Sequence, residues 1–134
     1  GTAAVRRAGT DITLVGYGKP MRLVLEAAAQ LEQQGVSAEV IDLRSLRPMD
    51  DHTVYASVNK TNRCVIVDES WPVCSVASEL GCRVSRACFD MLDAPVELVT
   101  SEDVPMPYNH TLELAAQPSV EKIVAAAARA LYLA

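Results

Sequence analysis

The stretch that decides the fold is Asp11-Ile12-Thr13-Leu14-Val15-Gly16-Tyr17-Gly18, an apolar run that ends in glycines. An uninterrupted apolar run of this length is the pattern of a strand buried on both faces, not of one that alternates between core and solvent. Pro20 follows, and proline is pre-set for the backbone angle that opens a helix. Apolar residues then recur at Leu23, Val24, Ala27, Ala28 and Leu31 before Gly35 ends the pattern, which gives one sticky helical face. Val36 to Leu43 reads as a second strand, so the two strands and their helix form a right-handed βαβ unit and the sheet is parallel at this point.

The same reading extends along the chain. Asp50 is placed to cap a short helix that runs to about Lys60, with Val54 and Val58 one turn apart. Arg63 to Asp68 is a third strand, and Val76, Leu80, Val84, Ala87 and Met91 mark an amphipathic helix that Pro95 closes. Val96 to Thr100 is a fourth strand. Ser101 to Pro118 shows no sustained period and is expected to be a long loop carrying Pro105, Pro107 and Pro118. Ser119 caps a last helix with the stripe Val120, Ile123, Val124, Ala127, Ala128 and Leu131. The expected fold is α/β: three layers, α/β/α, around a mostly parallel sheet of about five strands. One strand is antiparallel, and Ala4 to Arg7 pairing back across Gly9-Thr10 is assigned that place. All 134 residues are read as one domain.

Composition removes several functions. The net charge of -5, with no basic run, excludes a surface that tracks nucleic-acid phosphates. No stretch approaches the roughly 20 apolar residues of a membrane span. Cys64, Cys74, Cys82 and Cys88 form no C-x-x-C pair and have no histidine at metal-ligand spacing, so they are read as reduced thiols, with Cys64, Cys82 and Cys88 packed as small hydrophobes.

Catalytic signals are sparse. Gly16-Tyr17-Gly18 follows a strand as a dinucleotide loop would, but Met21 stands where a third glycine belongs, and a tight strand-to-helix turn explains both glycines. Asp68 and Glu69 lie at the carboxyl end of a strand, where open sheets bind ligands; with no third group to complete an acid–base set they are read as capping or solvated carboxylates. His52 and His110 each stand alone. No serine or cysteine occupies a nucleophile elbow.

Three longer stretches carry a resemblance. They are Glu39-Val40-Ile41-Asp42-Leu43-Arg44-Ser45-Leu46-Arg47-Pro48-Met49-Asp50, Phe89-Asp90-Met91-Leu92-Asp93-Ala94-Pro95-Val96, and Asp103-Val104-Pro105-Met106-Pro107-Tyr108. In this order and spacing the chain resembles the transketolase C-terminal domain of the E1 β subunits of thiamine-diphosphate-dependent 2-oxo-acid dehydrogenases. Trp71-Pro72, Met106 and Tyr108 are similar to the pyruvate-specific members; branched-chain members tend to have an aromatic and a histidine in the proline loop.

The resemblance implies a part of an enzyme whose reaction is the thiamine-dependent oxidative decarboxylation of pyruvate, in the mitochondrial matrix or the bacterial cytoplasm. It implies that thiamine diphosphate and magnesium are held by the pyrimidine-binding domain and the α subunit, which lie outside these residues, and that the domain alone is inactive. The implied partners are the E1 α subunit, a second E1 β subunit and the peripheral subunit-binding domain of the E2 acyltransferase. The implied E2 contacts are Asp93 and the carboxylate at the chain end, where Leu133 stands at the family's usual terminus and Ala134 extends it. Two other readings stand beside this one: a β subunit of a branched-chain or acetoin dehydrogenase, and a regulatory ligand-binding module that uses the sheet edge around Gly18, Glu69 and the proline loop.

Overall fold

A computed structural model describes residues 1–104 and 109–133. Five strands form one mixed sheet: β1 (Ala4–Arg7), β2 (Ile12–Gly16), β3 (Ala38–Asp42), β4 (Cys64–Val67) and β5 (Glu97–Val99), in the spatial order β1-β3-β2-β4-β5. Strands β3, β2, β4 and β5 are parallel, and β1 is antiparallel to β3.

Side chains alternate across the sheet as the period of a strand requires. Ile12, Leu14, Val40, Val65 and Val67 face one layer, made by α1 (Met21–Gln33) and α5 (Val120–Ala130). Val15, Ile41, Cys64 and Ile66 face the other, made by α2 (Asp51–Thr61) and α3 (Val76–Ala87). Covering both faces is what lets the strands be apolar throughout. Val54 and Val58, both fully buried on α2, contribute on the order of 2 kcal/mol each by leaving water.

The antiparallel strand has the expected residues, and its partner is β3, not its sequence neighbour β2. The chain leaving β1 crosses under the start of β3, and only glycine fits there: a Cβ on Gly9 would lie 2.3 Å from the carbonyl carbon of Ala38. The Gly9 amide donates to the carboxylate of Glu39, while the Thr10 and Asp11 amides donate to the Ser37 carbonyl. Burial alone would raise the Glu39 carboxyl, but hydrogen bonds from Lys60, Ser57 and the Gly9 amide outweigh it and hold it below its ordinary range. Beside it, Thr13 Oγ1 lies 2.7 Å from both Ser57 Oγ and Thr61 Oγ1, so the polar residue in β2 is satisfied where it is buried.

Two helix starts follow the capping chemistry read from the sequence: Asp50 accepts from the Thr53 amide and Ser119 accepts from the Lys122 amide. A third cap, not read there, is Ser75, which forms a capping box with Ser78. Three expectations change. Ser101 to Pro118 is not all loop, because Asn109 caps a short α4 (His110–Ala116); the segment 105–108 lies outside the described residues. Helix α3 ends at Ala87, so Met91 is past its end and exposed. Cys82 is exposed on α3, whereas Cys64 and Cys88 are buried as packed thiols.

Candidate functional site

The carboxyl edge of the sheet is occupied by its own structure. A Cβ on Gly16 would meet Met21 Sδ at 3.0 Å and Val24 Cγ2 at 3.3 Å, so this glycine serves close strand–helix packing. Gly18 has φ of 68°, the left-handed region that the turn into α1 requires. Asp68 is fully buried and accepts from the Tyr17 hydroxyl at 2.9 Å, the Ser70 amide at 3.0 Å and the Ala77 amide at 3.1 Å, the last in the first turn of α3. Burial and the Asp68 carboxylate push the Tyr17 hydroxyl up to about 12. Asp68 is therefore a capping carboxylate, while Glu69 beside it is exposed. His52 is exposed on α2 with its ring edge-on to Tyr55, and His110 is exposed at the start of α4.

These residues do not fit a diphosphate or its metal. The Gly16 cradle is filled by α1, Asp68 already accepts from three protein donors in a fully buried position, and no group of three or more His, Cys, Asp or Glu able to hold a metal occurs among the described residues. No helix among them is long and apolar enough to cross a membrane.

The opposite, amino-terminal edge differs. Asp93 follows α3 in the turn Leu92-Asp93-Ala94-Pro95, where its amide donates to the Asn62 carbonyl just before β4. Its carboxylate is 58% exposed, and the nearest cation is Arg63 at 3.9 Å, a loose surface pair of little energetic consequence. Arg63 itself is anchored elsewhere, donating from Nε to the Ala130 carbonyl at the end of α5.

Helix α5 ends against this turn. The Leu133 amide donates to the Ala128 carbonyl and the Tyr132 amide to the Arg129 carbonyl, the paired bonds of a Schellman end. Tyr132 holds the left-handed position, φ 56°, that glycine usually occupies, and its hydroxyl donates to the Asp93 carbonyl at 3.3 Å. Asp93 and the end of helix α5 thus share one corner, with Leu133 exposed beside Tyr132; Ala134 lies outside the described residues.

Around this corner the apolar surface is open. Phe89 is 76% exposed and Tyr132 70%, with Met91 and Leu133 also exposed. A depression of about 380 Å³ lies between Phe89, Leu92, Asp93, Pro95 and Tyr132. Phe89 and Tyr132 were not read as site residues from sequence. A signal for Phe89 exists: it falls off the stripe Val76, Leu80, Val84, so the face that buries α3 cannot bury it. No such signal exists for Tyr132, whose orientation depends on how α5 ends.

The chain belongs to the family described as "Transketolase, C-terminal domain", which matches residues 1–123. It is 48% identical over 135 residues to the mitochondrial pyruvate dehydrogenase E1 component subunit beta of Caenorhabditis elegans, covering 100% of this chain and 38% of that protein. It is 44% identical over 124 residues to the subunit beta of the acetoin:2,6-dichlorophenolindophenol oxidoreductase of Bacillus subtilis strain 168, covering 92% of this chain and 36% of that one. Among solved structures it resembles a split-gene transketolase described as an inactive β4 tetramer, with a TM-score of 0.80 and 30% identity over 98% of this chain and 42% of that chain. The chain therefore spans less than two-fifths of the curated relatives it matches here.

Proposed function

We propose that this domain is the C-terminal part of an E1 β subunit and works as the docking and assembly module of a thiamine-diphosphate-dependent pyruvate dehydrogenase. The whole enzyme decarboxylates pyruvate oxidatively and passes the acetyl group to E2. In this reading thiamine diphosphate and magnesium are held by the α subunit and the pyrimidine-binding domain. The domain packs against the α subunit and a second β subunit, and Asp93 with the chain end, Leu133 and Ala134, receives the basic peripheral subunit-binding domain of E2. The compartment is the mitochondrial matrix, or the cytoplasm for a bacterial source.

The observation that carries the reading is the shared corner. An exposed carboxylate with only a loose partner stands beside the end of the last helix, inside a rim of exposed Phe89, Met91 and Tyr132. A ring of apolar residues around a charge can exclude water from the charged contact, as the surround of an interface hot spot does. The 44% identity to an acetoin-enzyme β subunit supports a second reading that changes the substrate and leaves the fold and the corner as they are.

The test is a calorimetric titration of the E2 subunit-binding domain into this chain and into Asp93→Ala at low and high salt. The expected result is a loss of roughly tenfold or more in affinity for the variant and weaker wild-type binding at high salt, since a charge-assisted contact is worth about 1.5–3 kcal/mol and is screened by ions. Equal affinities, or binding indifferent to salt, would sink the proposal.

A further inference from the structure

The Asp93 turn and the end of α5 are distant in sequence. Among the described residues one hydrogen bond joins them directly, from the Tyr132 hydroxyl to the Asp93 carbonyl at 3.3 Å. Both are also held by a single dipeptide, Asn62-Arg63, which connects α2 to β4. Each of its two residues grips one half of the corner.

Asn62 closes α2. It lies in the left-handed region, φ 69°, and its amide donates to the Val58 carbonyl. Its carbonyl accepts from the Asp93 amide at 2.9 Å, and its side-chain amide donates to the Met91 carbonyl at 2.7 Å. The two bonds bracket Leu92, so one residue fixes the turn on both sides of it. From α3 itself the turn receives only the Cys88 carbonyl, which accepts from the Met91 and Leu92 amides. Asp93 is therefore placed by Asn62 and Tyr132, not by the helix that precedes it. A glycine would close α2 at lower backbone cost. The asparagine side chain, which the cap does not use, goes to the turn.

Arg63 serves the other half. At the end of α5 the carbonyls of Ala127, Ala128 and Arg129 accept from the Leu131, Leu133 and Tyr132 amides. The Ala130 carbonyl takes Arg63 Nε at 2.8 Å instead. A cation there also meets the negative end of the helix dipole. The same guanidinium reaches towards the Asp93 carboxylate, at 3.9 Å. Both residues are half-buried, so the brace lies under the corner.

We propose that Asn62 and Arg63 are the positioning residues of the docking corner. They hold the Asp93 turn and the end of α5 in one arrangement before a partner arrives, which spares the partner the cost of ordering them. The inference rests on the docking reading of that corner. Asn62 carries no charge and acts through the backbone on either side of Leu92.

The experiment has two arms. In the free chain, amide hydrogen exchange at Asp93 should quicken roughly fivefold in Asn62→Gly, the scale of one net hydrogen bond. Arg63→Met should do the same at residues 131–133. Asn62→Gly relieves the left-handed backbone while it loses the side-chain bond, so its thermal midpoint should match that of the wild type, which separates lost positioning from lost folding. In the second arm the E2 subunit-binding domain is titrated by calorimetry into wild type, Asn62→Gly, Asp93→Ala and the double variant. Asn62→Gly should weaken binding roughly fivefold with the salt dependence of the wild type, because no charge is removed. In the Asp93→Ala background the same substitution should cost less than about twofold, since it acts through Asp93. Unchanged exchange at Asp93, unchanged affinity in Asn62→Gly, or a full fivefold loss retained in the double variant would overturn this inference and leave the docking reading intact. Equal binding by wild type and Asp93→Ala would overturn both.

Discussion

Asp68 and Asp93 stand at opposite ends of the same sheet and have opposite surroundings. Asp68, at the carboxyl end of β4, is fully buried and accepts from Tyr17, Ser70 and Ala77. Asp93, near the amino end of β4, is 58% exposed, with one cation at the limit of an ion pair. The acidic residue in the position where open sheets bind ligands is part of the scaffold, and the one in the Leu92-Asp93-Ala94-Pro95 turn keeps an exposed carboxylate. Position in the fold raises suspicion of function; the state of the hydrogen bonds decides it. A carboxylate whose acceptor sites are filled by protein donors holds structure, and one left open is available for recognition.

Breaking the Asp68 side of the comparison should have the largest effect. Asp68→Ala leaves the Tyr17 hydroxyl and the Ala77 amide without their acceptor in a buried site, and is expected to cost about 3 kcal/mol of stability by urea unfolding. A cost below about 1 kcal/mol would mean that the carboxylate is not structural.

The buried carboxylate under β1 comes next. Lys60→Met removes a donor from Glu39 and is expected to cost about 1–2 kcal/mol. The folded-state Glu39 and Asp50 carboxyls are both held below their ordinary values, Asp50 by the Thr53 hydroxyl and the Ala3 amide. Their contribution is therefore complete above the ordinary carboxylate range and is lost as pH falls through the lower folded-state values. In Lys60→Met the Glu39 value rises, so acid unfolding followed by circular dichroism should begin at a higher pH than in the wild type. An unchanged acid transition would show that Lys60 does not hold Glu39.

The smallest effect belongs to the Asp93 corner, and it has the opposite sign. Tyr132→Gly replaces a side chain in the left-handed position by the residue that favours it, and should raise stability by up to about 1 kcal/mol in thermal unfolding. The same change removes part of the apolar rim, so affinity for the E2 module should fall while stability rises. A variant that loses stability would show Tyr132 to be part of the scaffold, as Asp68 is.

The fold was legible because its signals are local and repeated. The buried strands read as apolar runs, the helices as stripes, and Asp50, Ser119 and Pro20 marked helix starts within a residue. What was not legible depended on contacts distant in sequence. The partner of β1 is set by Gly9 meeting the backbone of Ala38, which no local pattern encodes. Helix α4 is seven residues, about two turns, too short to show a period. At the site, Asp93 entered through the family resemblance and not through its spacing. Its neighbours Phe89 and Tyr132 became site candidates only once the ends of α3 and α5 were placed together.

The most direct test is amide hydrogen exchange of this chain with and without the E2 subunit-binding domain. The account predicts added protection in residues 89–95 and 130–133 and no change in residues 68–77, where the Ser70 and Ala77 amides donate to Asp68. Protection that falls on residues 68–77 and spares the Asp93 corner would contradict it.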